Sequence, residues 1–151
     1  MEKPEFVYIT YIRTTPVKLW EALTDPAQTR QYWGGMINRS DWAKGSRWEH
    51  VNEQDSDPLY VFGEILESKP PTRLVLSWMD PENPDDASVV TLDLQPIDDL
   101  VRLTVIHGNF KGDSAMQGRI SKGWPLVLSS LKSFLETGSS IDIMKSARAC
   151  E

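Results

Sequence analysis

The sequence has 151 residues, of which 40% are hydrophobic and 25% are charged, and its formal net charge is -6. This length and composition are typical of one globular domain that buries a core without metal or disulfide staples. Because no basic cluster offsets the negative charge, we expect neither nucleic acid nor an anionic membrane as a partner.

The only cysteine, Cys150, excludes a disulfide within the chain and is typical of a protein from a reducing compartment. The first fifteen residues alternate apolar with polar side chains and contain no continuous apolar run. They therefore predict neither a signal peptide nor a membrane-spanning segment. We accordingly expect a cytoplasmic protein without membrane insertion.

The first part of the chain predicts one strand and two short helices. Residues 5–13 are rich in Tyr, Ile, Val and Thr, which strands favour. Thr-Pro at 15–16 begins a helix, and Asp-Pro at 25–26 begins a second one. Glycines at 34–35 end the second helix, and residues 36–44 are expected to form a loop.

Alternation of apolar and polar side chains predicts five further strands, each with its apolar side chains on one face. Short polar turns separate them, so the strands should form a meander. The acidic, proline-broken segment 80–87 is expected to be a hairpin loop. The predicted strands are 45–51, 59–68, 73–79, 88–95 and 100–107.

Residues 115–136 have the apolar spacing of a long helix, although Gly123, Trp124 and Pro125 lie inside it. Proline removes a backbone hydrogen bond and costs about 3 kcal/mol in a helix interior. One interpretation is a kinked helix, and the alternative is a break with a new helix starting at Pro125. In both cases Trp124 faces the cavity between the helix and the sheet.

The order of the elements predicts an α+β fold, because only the long helix is large enough to cover the apolar face of the sheet. We expect a curved antiparallel six-stranded sheet wrapped around the long C-terminal helix, with two short helices after strand 1. A curved sheet touches one helix only in part, which leaves space between them. Residues 1–138 should form a single domain and residues 139–151 a mobile tail.

The ordered set of residues along this chain resembles the START and birch-pollen-allergen (SRPBCC) superfamily, whose fold is called helix-grip. Within it, the sequence is most similar to the group named for the activator of the heat-shock protein 90 ATPase. The closing segment GWPLVLSSLKSFLETG is the strongest part of the match. The residues that carry the resemblance are Pro16, Val17, 19–26, Tyr32, Trp33, Gly45, 63–65, Pro70, Pro71, Arg73, Leu74, Ser77, Trp78, 102–105, His107, Gly123, Trp124, Leu128, Leu131, Lys132 and 135–138.

The chain departs from the family pattern at Gly34, Ser46 and Pro125. Where this chain has Gly34, the family often has a second Trp beside the one at Trp33. Where it has Ser46, the family often has a second Gly after the one at Gly45, and Pro125 is not part of the family pattern. These positions lie near the presumed mouth of the cavity. The resemblance therefore implies the helix-grip fold but does not identify a ligand.

Six tryptophans in 151 residues are unusual, and strand alternation places several of them between the sheet and the helix together with His50 and His107. Such a lining suits a small hydrophobic ligand, with the two histidines as polar anchors. The alternative is a collapsed core in which both histidines are hydrogen-bonded. The predicted site residues are Trp33, Trp48, His50, Phe62, Trp78, Leu92, Leu103, His107, Trp124 and Leu128.

No catalytic, nucleotide-binding or metal-binding motif is present, so we expect no cofactor and no metal site. The carboxylates lie mostly in turns, where solvated side chains are common. Three functions stay open: a binding protein for a small hydrophobic or aromatic molecule, a polyketide cyclase or hydratase that uses His50 and His107, and a co-chaperone. The ligand-binding function is favoured, and we expect a protein that is not an enzyme. A homodimer and, with weaker support, a chaperone partner stay open too.

Overall fold

The computed structural model describes residues 5–143, and it has the predicted α+β helix-grip architecture. One antiparallel sheet, with strand order β1-β7-β6-β5-β4-β3-β2, packs against the C-terminal helix. The elements are β1 (Phe6–Ile12), α1 (Pro16–Thr24), α2 (Pro26–Tyr32), β2 (Ile37–Ser40), β3 (Arg47–Val51), β4 (Leu59–Lys69), β5 (Arg73–Asp80), β6 (Asn83–Ile97), β7 (Leu100–Gly108) and α3 (Ala115–Thr137).

The sheet has seven strands rather than the predicted six, because β2 occupies part of the segment expected to be a loop. This strand pairs with β3, and Ile37 lies opposite Val51. Ile37 and the adjacent Asn38 are both buried, so the segment lacks the alternation from which strands are predicted. A second correction concerns β6, which begins at Asn83, so most of the predicted loop 80–87 is strand.

The inner face of the sheet carries the core that alternation predicts. On β7, for example, Leu103, Val105 and His107 are fully buried, whereas Thr104 and Ile106 on the opposite face are partly exposed. The same alternation holds along β6, and along β5 except at Val75, which is buried although it alternates with the inward Leu74 and Leu76. The core therefore lies in one layer between the inner face of the sheet and α3.

The two short helices are fixed by side-chain caps at their N-termini. Thr15 accepts a hydrogen bond from Lys18 N at 3.2 Å, and Asp25 accepts one from Ala27 N at 3.0 Å. The buried Tyr32 donates its hydroxyl to Ala22 O at 2.9 Å, which ties α2 to α1. These contacts hold the end of α2, from which Trp33 projects toward the core.

Helix α3 is continuous through Pro125, so the alternative in which the helix breaks there is wrong. It begins at Ser114, whose hydroxyl accepts from Gln117 N, and it ends at Gly138 in the left-handed conformation. Near its end, Lys132 Nζ donates to Tyr11 O at 2.6 Å and Glu136 accepts from Arg13 N at 2.8 Å. The C-terminal half of α3 is thereby held against β1.

Residues 139–143 belong to the segment predicted as a mobile tail. Ile141 exchanges hydrogen bonds with the Ser130 hydroxyl, and Ile143 is buried in the core. The rest of the predicted tail, which includes Cys150, lies outside the described residues. Across residues 5–143, no helix has both the length and the apolar character that crossing a membrane requires.

Replacing Gly63 with alanine is expected to destabilise the fold by about 3 kcal/mol. A Cβ atom at Gly63 would stand 2.0 Å from the Ser77 carbonyl oxygen, which accepts the Trp48 indole N–H at 2.7 Å. Because the neighbour is backbone, no side-chain rotation relieves the overlap. Urea unfolding measures the loss. In the control Gly112→Ala, where a Cβ meets nothing within 4 Å, a change as large as that of Gly63→Ala would contradict this explanation.

Candidate ligand-binding cleft

A cleft of about 700 Å³ lies between α3 and the end of the sheet formed by β3, β4 and β5. Its helical wall is one face of α3, on which Met116, Ile120, Trp124 and Val127 follow each other at helical spacing. The residues that line it are Trp33, His50, Asp55, Ser56, Asp57, Leu59, Tyr60, Val61, Trp78, Asp80, Pro81, Glu82, Met116, Arg119, Ile120, Gly123, Trp124 and Val127.

Gly123 keeps the helical wall of the cleft thin. A Cβ atom placed on this residue would meet nothing within 4 Å, apart from the local helix backbone. The helix therefore does not need glycine here for packing, although glycine costs up to about 1 kcal/mol relative to alanine in a helix interior. What the glycine leaves is space on the cleft side of α3.

His50 is the polar group on the floor of the cleft. The residue is 6% exposed, and its ring Nδ1 lies 2.5 Å from Asn38 Oδ1 on the neighbouring strand. Because an amide oxygen only accepts, Nδ1 carries the proton and Nε2 keeps a lone pair. Burial lowers the pKa of His50 to about 3, so the ring is neutral near pH 7.

His107 lies behind the cleft wall, fully buried, with both ring nitrogens in use. Trp124 donates its indole N–H to Nδ1 at 3.0 Å, and Nε2 lies 2.7 Å from Ser88 Oγ. An indole nitrogen only donates, so Nε2–H donates to Ser88, whose hydroxyl donates to Trp78 O. Burial lowers the pKa of His107 to about 3. His107 is therefore a structural hydrogen-bonding residue of the core.

Aromatic rings form the inner end of the cleft. Trp124 contacts Trp33 and Trp78 at ring-centroid distances of 5.6 Å each, and Trp33 contacts His50 at 4.9 Å. Trp78 also packs on Trp48 at 5.2 Å. Within the described residues the buried Trp78 N–H has no hydrogen-bond partner. These contacts give the cleft several apolar ring faces in fixed orientations.

The structure brings four of the ten predicted site residues together in the cleft: Trp33, His50, Trp78 and Trp124. Trp48 and Leu92 instead line a separate cavity of about 30 Å³ beneath it, next to the same tryptophans. The other three inward residues, Leu103, His107 and Leu128, are at most 1% exposed and fill the core.

Phe62 is wrongly placed by the sequence analysis. Its neighbours Val61 and Gly63 on β4 are buried, so Phe62 points to the outer face of the sheet. There the Arg47 guanidinium carbon lies 4.7 Å from the centroid of its ring. Val61, Gly63 and Ile65 form the inward face of this part of β4, and an aromatic side chain in a mixed strand does not reveal which face it takes.

Sequence reasoning missed the rim of the cleft, which consists mainly of charged side chains. Asp55, Asp57, Asp80 and Glu82 line it, together with Arg119 from α3. The acidic residues were interpreted as solvated turn residues, and each does lie in or beside a turn. The signal that could have found them is the clustering of the two acidic turns at one end of neighbouring strands.

Arg119 is the only cation among the residues that line the described cleft, and it is paired. Its Nη2 lies 2.8 Å from Asp80 Oδ2, and this bond holds the pKa of Asp80 below its usual range against the opposing effect of burial. Asp55 accepts a hydrogen bond from Tyr60. Within residues 5–143, the carboxylates of Asp55, Asp57 and Glu82 have no cationic partner.

The cleft has few groups suited to a cofactor or metal. Between residues 5 and 143, no three His, Cys, Asp or Glu side chains converge as metal ligands would. The polar side chains that line the cleft are His50, Ser56, Tyr60, Arg119 and the acidic residues of the rim, and the Trp78 N–H is an unpaired donor. The arrangement can hold a flat apolar body and a few polar substituents.

A curved antiparallel sheet that holds one long helix, with a cleft between them, is the helix-grip fold. A family model described as "Activator of Hsp90 ATPase homolog 1-like protein" matches residues 13–136. The chain belongs to this family. The resemblance seen in the sequence is thereby confirmed, and no curated protein sequence matches significantly.

Three solved structures illustrate the fold. CalU16 from Micromonospora echinospora is 22% identical, with a TM-score of 0.73 over 97% of this chain and 83% of its own. MLL2253 from Mesorhizobium loti is 28% identical, with a TM-score of 0.73 over 87% of this chain and 96% of its own. The Aha1 dimer from Colwellia psychrerythraea is 18% identical, with a TM-score of 0.69 over 89% of this chain and 98% of its own.

Proposed function

We propose that this chain binds a small hydrophobic or aromatic molecule in the cleft between α3 and the sheet. The observation that carries the proposal is a cleft of about 700 Å³ whose inner end is made of indole rings. Small-molecule sites typically measure about 300 to 1,000 Å³ and are mainly apolar with a few polar groups. A filled core would not leave this space.

The histidine chemistry supports binding over catalysis. A cyclase or hydratase of the polyketide type would need His50 or His107 to exchange protons with its substrate. His107 has both ring nitrogens engaged and does not line the cleft. His50 reaches the cleft, but a pKa of about 3 leaves it neutral near pH 7 and unable to serve as a general acid.

A co-chaperone is the second candidate function, because the description of the matching family names an activator of the Hsp90 ATPase. This role would use an outer surface rather than the cleft, so the two functions are compatible. The dimeric relative from Colwellia psychrerythraea similarly leaves a homodimer as a prediction. Both rest on relatives, whereas the ligand-binding proposal rests on the cleft of this chain.

Filling the cleft from its helical wall is expected to weaken ligand binding at least tenfold while the protein stays folded. Gly123→Leu places a side chain where a Cβ atom meets open space, and leucine favours the helix more than glycine does. Isothermal titration calorimetry with neutral naphthalene-sized aromatics and medium-chain alcohols, on wild type and variant, measures the affinities. Wild-type binding that the variant retains in full would contradict the proposed site.

The matched control is Gly118→Leu on the same helix. Gly118 is exposed, is absent from the cleft lining and also leaves open space for a Cβ atom. The Gly118→Leu variant gains the same helix propensity as Gly123→Leu but does not narrow the cleft. Its affinities for the compounds should therefore equal those of the wild type. If no compound of the panel binds the wild-type protein, the proposed function is wrong.

A further inference from the structure

The charge distribution around the cleft is one-sided. Asp55, Asp57 and Glu82 stand at its rim with no cationic partner in the part of the chain that the structure describes, and Arg119 is already paired with Asp80 at 2.8 Å. Among the described lining residues there is no further Lys or Arg. A carboxylate or phosphate on a ligand would meet only like charges at the mouth, whereas a cation would be attracted.

The inner part of the cleft favours the same kind of ligand. Trp33, Trp78 and Trp124 present ring faces and edges, and Tyr60 lies near the mouth. These rings stack with a flat apolar body, and their electron-rich faces do not repel a cation held at the rim. The interior therefore adds no positive charge that would offset the acidic rim.

A third, independent feature is the free acceptor on the cleft floor. His50 is more than nine-tenths buried, its Nδ1–H is used by Asn38, and its Nε2 has no partner within the described chain. Nε2 is unpaired yet is not one of the enclosed atoms that lack a partner, so it keeps some exposure, and His50 lines the cleft. A neutral imidazole of this tautomer accepts a hydrogen bond and offers none.

We propose that the ligand is a protonated amine with a flat apolar body and a hydroxyl group. This inference rests on the proposed function and specifies its ligand class. The apolar body lies against the three indoles, the hydroxyl donates to His50 Nε2, and the ammonium group lies at the rim near Asp55, Asp57 and Glu82. Anionic amphiphiles such as fatty acids are disfavoured by the same carboxylates.

The test uses a naphthol that carries an aminomethyl, a hydroxymethyl or a carboxylate group at the same ring position. The ring and the hydroxyl are constant, and only the charge changes. At low ionic strength we expect the amine to bind at least about tenfold more tightly than the alcohol, and the carboxylate about tenfold more weakly. Near 0.5 M salt, where the Debye length is only a few ångströms, the differences should shrink.

Two variants with the same change in net charge locate the effect. Neutralising the rim with Asp55→Asn, Asp57→Asn and Glu82→Gln should reduce the preference for the amine over the alcohol to less than threefold. Glu21→Gln, Asp41→Asn and Asp98→Asn neutralise three carboxylates that do not line the cleft and should leave the preference intact. Should the rim variant fail to fold, Arg119→Gln is the alternative, because freeing Asp80 should increase the preference.

The outcomes separate this inference from the proposed function. Binding of the alcohol with no gain for the amine, or with tighter binding of the carboxylate, overturns the inference alone. The same holds if the distant control variant loses the preference as fully as the rim variant does. No binding of any of the three probes overturns the inference and counts against the proposed function itself.

Discussion

Lowering the pH from 7 to 5 is expected to reduce the free energy of unfolding by about 3 to 4 kcal/mol. Burial lowers the pKa of both His50 and His107 from 6.5 to about 3. Between these values the unfolded chain binds two more protons than the folded one, so stability rises with pH across this window. The stability that the two neutral histidines contribute is fully present above the unfolded pKa of 6.5 and is lost progressively as the pH falls toward 3.

Urea unfolding between pH 7 and pH 5 measures this loss. In this window the carboxylates whose pKa is lowered by hydrogen bonds to basic groups, Glu49, Glu67, Asp80 and Glu136, stay mostly ionised in both the folded and the unfolded protein, so they contribute little to the slope. Since the chain has two histidines, the double variant His50→Gln, His107→Gln should lose nearly all of the slope. Each single variant should lose about half of it.

An independent measurement keeps this prediction testable if the double variant does not fold. The imidazole C–H resonances of the folded wild-type protein should stay unchanged between pH 7 and pH 5 in an NMR titration. A histidine that titrates in the folded state near pH 6 would contradict the buried, neutral state on which the prediction depends. A wild-type stability that does not change over this range would contradict it as well.

The sequence predicted the fold well because the fold depends on patterns that repeat along the chain. Alternation correctly assigned the inner faces of β5, β6 and β7, though not the face of Phe62 on β4, and the apolar stripe assigned the face of α3. The predictions were wrong for segments whose apolar residues do not repeat at a regular spacing. The strand Ile37–Ser40 has two adjacent buried residues, and β6 runs through an acidic segment with a proline that local turn chemistry favours as a loop.

The candidate site was predictable only in its apolar part. Periodicity identifies side chains between sheet and helix, but it does not distinguish a residue that lines a cleft from one that fills the core beneath it. Trp124 and Leu128 lie one helical turn apart on the same stripe, yet only Trp124 reaches the cleft. The difference depends on the curvature of the sheet, which is set by many contacts distant in sequence.

The tautomer of each histidine could not be predicted from the sequence for a similar reason. Asn38 lies in a strand that the alternation did not reveal, and it determines that His50 presents an acceptor to the cleft. Ser88 and Trp124 engage both nitrogens of His107 and remove it from the surface. Two histidines with equivalent positions in the pattern of alternation thus have different roles, one accessible and one structural.

Replacing Trp124 with alanine is expected to cost about 3 to 5 kcal/mol of stability at pH 7. The residue is 5% exposed, packs on two other indoles and donates the hydrogen bond that His107 Nδ1 accepts. Trp124→Phe keeps a ring but leaves that buried acceptor without a partner, which should cost about 1 to 3 kcal/mol. The partly buried Trp20 provides the control, and Trp20→Phe should change stability less than Trp124→Phe.

The loss in Trp124→Ala should also depend on pH, because Trp124 stands between His107 and the cleft. Without the indole, His107 is open to water from the cleft, and its folded pKa returns toward 6.5. When the pH falls, the free energy of unfolding of the variant then decreases less than that of the wild type. Urea unfolding should therefore give a smaller difference between wild type and variant at pH 5 than at pH 7. An equal difference at both values would mean that Trp124 does not keep water from His107.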